Sequence, residues 1–337
     1  ELRFPGFGVR EARALVGATA ETRFLSTLRT DETAYQDSAD YEPGPDVPED
    51  ADGGDYPAVD LLAKWENLAS LHTFQFGELS DEDYQNCHVE GEKAHHLVKQ
   101  MPHLEELYLL AHRVDGNKLF ALPMPNLRIL RVDHSYVYPL KKLAENPSLT
   151  KLEQMLFHPH AVEEEIPYGL PELKAVVNSP HLKSLTQLRM RMTIMGDPAI
   201  KAIVDSGVLK RLKMLDLANG TVSDDGAELL ARCPDAKNLS FLNLNCNELT
   251  EKGTQALKTL GVKMDAANQH ESTEGMDEDE KKGMEFLFMG DIEWGSCRPF
   301  GLAYRPPVAD RRRNLAGEGV RGERFLQESD LLRLDAV

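Results

Sequence analysis

The stretch NLSFLNLNCNELTEKG, residues 238–253, sets leucines at 239, 242, 244 and 249 around a short Asn-Cys-Asn run. The same rhythm stands 27 residues upstream in RLKMLDLANGTVSDDG, where Leu212, Leu215, Leu217 and Val222 take the corresponding places. Each copy runs on into a polar stretch closed by glycine, so the leucines belong to a repeating unit and not to a single helix or strand.

Apolar residues in the order L-x-x-L-x-L, followed by x-x-N-x-L, at a period of about 20 to 30 residues, are the mark of a leucine-rich repeat with one strand and one helix per unit. With the second leucine as marker, frames fall at Leu28 (with Leu25 and Tyr35), Phe74, Leu107, Leu130, Met155, Leu188, Leu215 and Leu242, and a partial frame stands at Leu2. Successive markers lie 26, 46, 33, 23, 25, 33, 27 and 27 residues apart. The late apolar position of the unit falls on Val114, Val137, Val162, Met195, Val222 and Leu249, and fails at Phe74, where it is Asp81. The expected fold is α/β: a leucine-rich-repeat solenoid, a right-handed horseshoe with parallel strands on the concave face and helices outside, occupying residues 1–265 with eight to nine units.

Helix signals sit where that unit requires them. GDPAIKAIVDSG offers Asp197 as N-cap and Pro198 at the first helical position, while Ser223 and Thr250 open the next two helices. A helix is also expected over 171–178, and a last short edge strand within GVKMDAANQH. The 46-residue gap holds an insertion at 31–57 in which residues 31–55 carry ten acidic and no basic side chains, with almost nothing to bury, so it reads as a mobile acidic loop. Residues 266–294 read as an acidic linker and short capping segment. Residues 295–337 hold eight Arg and no Lys and share neither rhythm nor composition with the rest. They read as a disordered tail, and a native tail and translated downstream sequence both fit.

The net charge of −18 repels a phosphate backbone at long range and argues against nucleic acid as partner. Four cysteines, at 87, 233, 246 and 297, lack CxxC spacing, which fits neither a zinc knuckle nor a disulfide framework and suits a reducing cytoplasm. No run of 18 apolar residues is present, so no membrane span is expected, and a monomer is the simplest assembly. The chain lacks an initiator Met and begins inside a frame, which suggests a fragment.

Alternate strand residues point away from the core and define the concave face. On that face the frame places Tyr108, Arg131, Asp133, His158, Arg189, Arg191, Asp216, Asn243 and Asn245. Tyr108 with the three arginines makes a basic and aromatic patch of the residue types that dominate protein interfaces. In the opening stretch, Asn247 takes the consensus Asn position and is expected to bond backbone in the turn, Asn245 faces a partner, and Cys246 has no basic neighbour in sequence to activate it.

One alternative involves chemistry. His112, His134, His158 and His160 recur at nearly one phase in three successive units, and strands about 4.8 Å apart could bring some within reach of a shared metal. Against it, His112 and His160 fall on the consensus Asn position and no carboxylate completes the set. The sequence has no phosphate loop and no G-x-S-x-G nucleophile motif, and nothing in it calls for an enzyme or a cofactor.

The segment from Leu209 to Val262 resembles the ribonuclease-inhibitor-like class of leucine-rich repeats. MPHLEELYLLAHRVDGNKLFALPMPNLRILRV, residues 101–132, with GDPAIKAIVDSGVLKRLKMLDL, residues 196–217, is similar to bacterial leucine-rich-repeat proteins that often carry a small helical companion domain before the array. That resemblance implies the fold and the binding of a partner protein. It implies no catalytic residue, and the companion domain has no counterpart in this sequence.

Overall fold

A computed structural model describes residues 1–33, 57–77, 91–159, 167–272 and 275–276. Among these residues ten parallel strands form one sheet whose spatial order is their sequence order, so each unit stacks on the one before it. The strands are β1 (Leu2–Phe7), β2 (Thr27–Thr33), β3 (Thr73–Phe76), β4 (Glu106–Leu110), β5 (Ile129–Asp133), β6 (Gln154–His158), β7 (Gln187–Met190), β8 (Met214–Asp216), β9 (Phe241–Asn243) and β10 (Lys263–Asp265). All the sequence markers pair in one row: Leu2, Leu28, Phe74, Leu107, Leu130, Met155, Leu188, Leu215 and Leu242, continued by Met264. The leucine-rich-repeat solenoid is the architecture of this chain.

Burial explains the register. The eight markers from Leu28 to Leu242 are fully buried, and a one-residue slip of any strand would carry its marker to the outward face. Each fully buried Leu of this kind contributes about 1.5 to 3 kcal/mol. Helices close the other side of the core: α1 (Val9–Gly17), α2 (Pro57–Leu62), α3 (Ala94–Val98), α4 (Gly116–Leu119), α5 (Leu140–Glu145), α6 (Leu170–Val177), α7 (Gly196–Ser206), α8 (Asp224–Arg232) and α9 (Glu251–Lys258). The helix expected over 171–178 and the last edge strand are both present, as α6 and β10.

Ser223 and Thr250 cap α8 and α9 as expected, accepting from the N–H groups of Asp225 and Lys252. Asp197 does not cap its own helix, because α7 begins at Gly196 and Asp197 turns instead to the next unit. There its carboxylate accepts from the backbone N–H and the hydroxyl of Ser223, at 2.9 and 2.6 Å. One unit later Asp224 does the same to Thr250, at 2.9 and 2.6 Å, and also accepts from the N–H of Gly253. An anion placed at a helix start satisfies N–H groups that have no partner within the helix. A Cβ at Gly226 or Gly253 would stand 2.2 Å from the bridging carboxylate, which is why glycine occupies both positions.

The late apolar positions hold at Val114, Met195, Val222 and Leu249, which are buried, and fail at Val137, which is 46% exposed. Tyr138 takes that place in the core. Its hydroxyl donates to the Val132 carbonyl at 3.1 Å, and its ring packs on Phe157 and Tyr168.

The 31–57 insertion overlaps the end of β2 and the start of α2, while residues 34–56 lie outside the described residues, as do Tyr35, Asp81, Cys87, His160, Val162 and Cys297. Most of the 266–294 segment and all of 295–337 also lie outside them. Among the described residues no helix is long and apolar enough to cross a membrane.

Candidate interaction surface

Away from the helices, the outward side chains of β4 to β9 form three columns in register. Immediately after the markers come Tyr108, Arg131, Leu156, Arg189, Asp216 and Asn243, with Arg29 and Gln75 preceding them. Two residues further along lie Leu110, Asp133, His158, Arg191, Ala218 and Asn245. The third column, one residue before the markers, contains Glu106, Ile129, Gln154, Gln187, Met214 and Phe241. The frame alone predicted the first two columns, and their members stand side by side.

The arginines of this face are not a bare basic patch. Asp133 is fully buried and bonds two guanidinium groups at once: Arg131 through Nε at 2.7 Å and Nη2 at 2.6 Å, and Arg189 through Nη2 at 2.8 Å. Burial opposes the charge of Asp133, but Arg131 and Arg189 outweigh it and hold its carboxyl below the ordinary carboxylate range. Arg191 pairs separately with Asp216, Nε reaching both oxygens at 3.1 and 3.0 Å and Nη2 reaching Oδ2 at 2.7 Å. Such paired geometry fixes each guanidinium plane as well as its charge.

Of the nine residues predicted for this face, Asp133, His158, Arg191, Asp216, Asn243 and Asn245 are buried, while Tyr108, Arg131 and Arg189 are partly exposed. Of the buried six, Asp133 sets the positions of Arg131 and Arg189. Tyr108 donates to Glu106 at 3.3 Å and lies beside Arg29, whose guanidinium carbon is 5.9 Å from the ring centre. Burial and Glu106 push the phenol well above its ordinary range, so it stays neutral and remains a donor. Arg29 in turn donates to Gln75 at 2.7 Å.

Among the described residues, His112, His134 and His158 of the expected histidine column do not come together with a third ligand to hold a metal ion, and His160 lies outside them. The rings of His112 and His134 are 5.8 Å apart between centres, and His112 Nδ1 lies 3.2 Å from the His134 carbonyl oxygen. His134 occupies a left-handed turn with φ of 67°, and its N–H donates to the carbonyl of His158. His158 itself is buried beside Arg191 and Arg189, and burial followed by those cations drives its pKa well below the ordinary value. Among the described residues no three His, Cys, Asp or Glu side chains come together in a way that could hold a metal ion. The metal-centred alternative gains nothing from this geometry.

The opening stretch resolves residue by residue. Asn247 has no exposure, donates through Nδ2 to the Leu217 and Asn245 carbonyls at 3.0 and 3.2 Å, and accepts from the Val222 N–H at 2.9 Å. It thus binds its own turn to the preceding unit. Cys246 is buried in a left-handed conformation with φ of 50°, a place shared one unit earlier by Asn219 at 57° and two units earlier by Met192 at 58°. Asn245 lies on the outward face as expected but is buried there, and its side-chain oxygen has no hydrogen-bond partner.

Gln154 and Gln187 were not among the residues the frame singled out. They precede the markers, and the two-residue alternation of a strand turns that position outward too, so the signal was present.

No protein-family model matches the sequence, and no curated protein is a significant match to it. Among solved structures, a Bacteroides fragilis protein superposes with a TM-score of 0.55, at 18% identity, over 80% of this chain and 74% of its own. At that identity the likeness speaks for the fold alone. An internalin of Listeria monocytogenes (TM-score 0.31, 14% identity, 65% of this chain and 72% of its own) superposes too loosely to support an argument. The same holds for a leucine-rich-repeat protein of Leptospira interrogans (0.22, 12%, 74% and 79%).

Proposed function

We propose that this leucine-rich-repeat solenoid is a non-enzymatic scaffold that binds a partner protein or peptide on its strand face. The residues it would use are Tyr108, Arg131, Asp133, His158, Arg189, Arg191, Asp216, Asn243 and Asn245. One observation carries the reading: Tyr108, Arg131 and Arg189, side chains of the types that anchor protein interfaces, stand in one row on β4, β5 and β7, and buried carboxylates lock these two arginines and Arg191 in place. Anchors fixed before binding lose little conformational freedom when a partner arrives. The reading extends to a monomer acting in the cytoplasm, in keeping with Cys233 and Cys246 being thiols and not half-cystines.

The test is positional crosslinking. A photoreactive amino acid placed at Arg29 or Phe241 on the strand face is expected to capture a discrete partner, whereas the same group at Lys201 or Lys258 on the helix side is not. Capture from the helix side alone would overturn the reading.

A further inference from the structure

Residues 218–220, in the turn after β8, tie three units together. The N–H groups of Met192 and Thr193 in the preceding unit donate to the carbonyls of Ala218 and Asn219, each at 3.1 Å. The N–H groups of Asn219 and Gly220 donate in turn to the carbonyls of Asn245 and Cys246 in the following unit, at 3.0 and 2.9 Å. Two separate demands select the residues at the centre of this ladder. Asn219 holds a left-handed conformation with φ of 57°, which asparagine tolerates better than most side chains. A Cβ at residue 220 would stand 2.8 Å from Asn247 Oδ1, so glycine occupies that position.

The dipeptide that these demands produce is chemically labile. Asn219-Gly220 is the single Asn-Gly pair in the sequence, and asparagine is among the thermally labile residues. With no side chain on residue 220 to obstruct it, the Gly220 backbone nitrogen, once it gives up its proton, can attack Asn219 Cγ. The N–Cγ bond forms, the Cγ–Nδ2 bond breaks and ammonia leaves, giving a five-membered succinimide. Water then opens the ring at either carbonyl and yields aspartate or isoaspartate. Asn219 is partly exposed, so solvent reaches it. In the stacked array, however, the nitrogen that must attack is the one whose N–H donates to Cys246.

We infer that Asn219-Gly220 is a spontaneous modification site, converted by water to isoaspartate, which the ladder keeps silent and which opening of the C-terminal units releases. Attack requires the Gly220 nitrogen to leave the Cys246 carbonyl. The rate therefore follows the population in which the β9 unit has separated from the β8 unit, a local opening in an array whose units contact only their neighbours. Isoaspartate lengthens the backbone by one carbon between residues 219 and 220. The four ladder bonds that bracket this peptide then lose their common register, so the product joins its neighbours less well and the change runs one way. Asn268 serves as an internal control: it shares the left-handed conformation, with φ of 51°, but is followed by Gln269, whose side chain obstructs ring closure.

The experiment incubates the full chain in mildly alkaline buffer, folded and in guanidinium chloride, and follows each asparagine by peptide mapping with separation of the aspartate and isoaspartate forms. In guanidinium chloride Asn219 is expected to convert faster than Asn268, and faster than in the folded chain by about tenfold or more, a factor set by how seldom the ladder opens. Asn247→Ala, which removes hydrogen bonds around the same turn, should raise the folded-state conversion of Asn219 and the hydrogen exchange of the Gly220 N–H together. Equal conversion of Asn219 in the folded and unfolded chain would overturn the inference, as would conversion in guanidinium chloride no faster than that of Asn268. Exchange at Gly220 that quickens in Asn247→Ala with no rise in conversion would overturn it too, because the ladder bond would then not be the gate. The comparison of folded and unfolded chain needs no variant, so an Asn247→Ala protein that fails to fold leaves the test in force.

Discussion

The units built on β4 to β7 and those built on β8 and β9 follow one frame but handle their polar groups differently. In the C-terminal pair Ser223 and Thr250 cap α8 and α9, Asp197 on α7 and Asp224 on α8 bridge to those caps, and Asn247 ties one turn to the preceding unit. Their polar groups serve the stacking of units. In the central units α4 and α5 run only four and six residues, while α6 and α7 run eight and eleven. The turns there carry His112 and His134, and the outward face carries Arg131, Asp133, His158, Arg189 and Arg191. The β8 and β9 units use these side chains mainly to join neighbours, and the β4 to β7 units hold charged groups together on the face, where Asp216 of β8 meets them.

The largest effect should come from the shared frame. Leu215→Asp or Leu242→Asp places a charge where the chain is fully buried, and is expected to cost several kcal/mol and unfold the C-terminal units. Urea denaturation followed by circular dichroism reads this directly. A midpoint equal to that of the unsubstituted chain would contradict the frame.

Next comes the central pairing. Asp133→Asn removes the anion that two guanidinium groups share, at an expected cost of about 2 to 3 kcal/mol. That is less than for a wholly buried pair, because Arg131 and Arg189 are partly exposed. If melting is unchanged, the central face is less tightly organised than its hydrogen bonds indicate.

Asn247→Ala strips three hydrogen bonds from a buried turn and should cost about 1 to 3 kcal/mol. The loss is expected to appear as faster hydrogen exchange at Val222, whose N–H loses its acceptor, with little change in β4 to β6. Exchange that quickens equally in the central strands would erase the distinction drawn between the two regions.

The smallest effect is on pH dependence and belongs to the central units. His158 has a folded-state pKa well below the ordinary 6.5, so the unfolded chain takes up the proton first as pH falls. The stability this contributes is therefore complete above pH 6.5 and declines below it, by at most about 1.4 kcal/mol per pH unit. His158→Gln should flatten that decline between pH 6.5 and 5.5, as measured by denaturation midpoints, and an unaltered slope would place the titration elsewhere.

Much of this molecule was legible in its leucines. A core position on a strand must be apolar in every unit, so the markers from Leu2 to Leu242 could be placed in register from spacing alone, and with them the outward columns. The caps Ser223 and Thr250 were legible for a similar reason, because each acts on N–H groups two residues away in the chain. Asp197 was misplaced because its partner is Ser223, 26 residues on, and local propensity favours the nearer helix. Val137 and Tyr138 were interchanged because the choice depends on which side chain meets Phe157 and Tyr168 across units.

The sequence by itself determined the repeat, the parallel sheet and which residues face outward, since period and alternation are properties of neighbours along the chain. Only the tertiary structure decided what those outward residues are to one another. That Asp133 bonds Arg189 as well as its strand neighbour Arg131, that Arg191 belongs to Asp216, and that unpaired polar atoms gather around Leu156 depend on side-chain distances between strands. Residues 25 or more positions apart set those distances, and no local pattern encodes them.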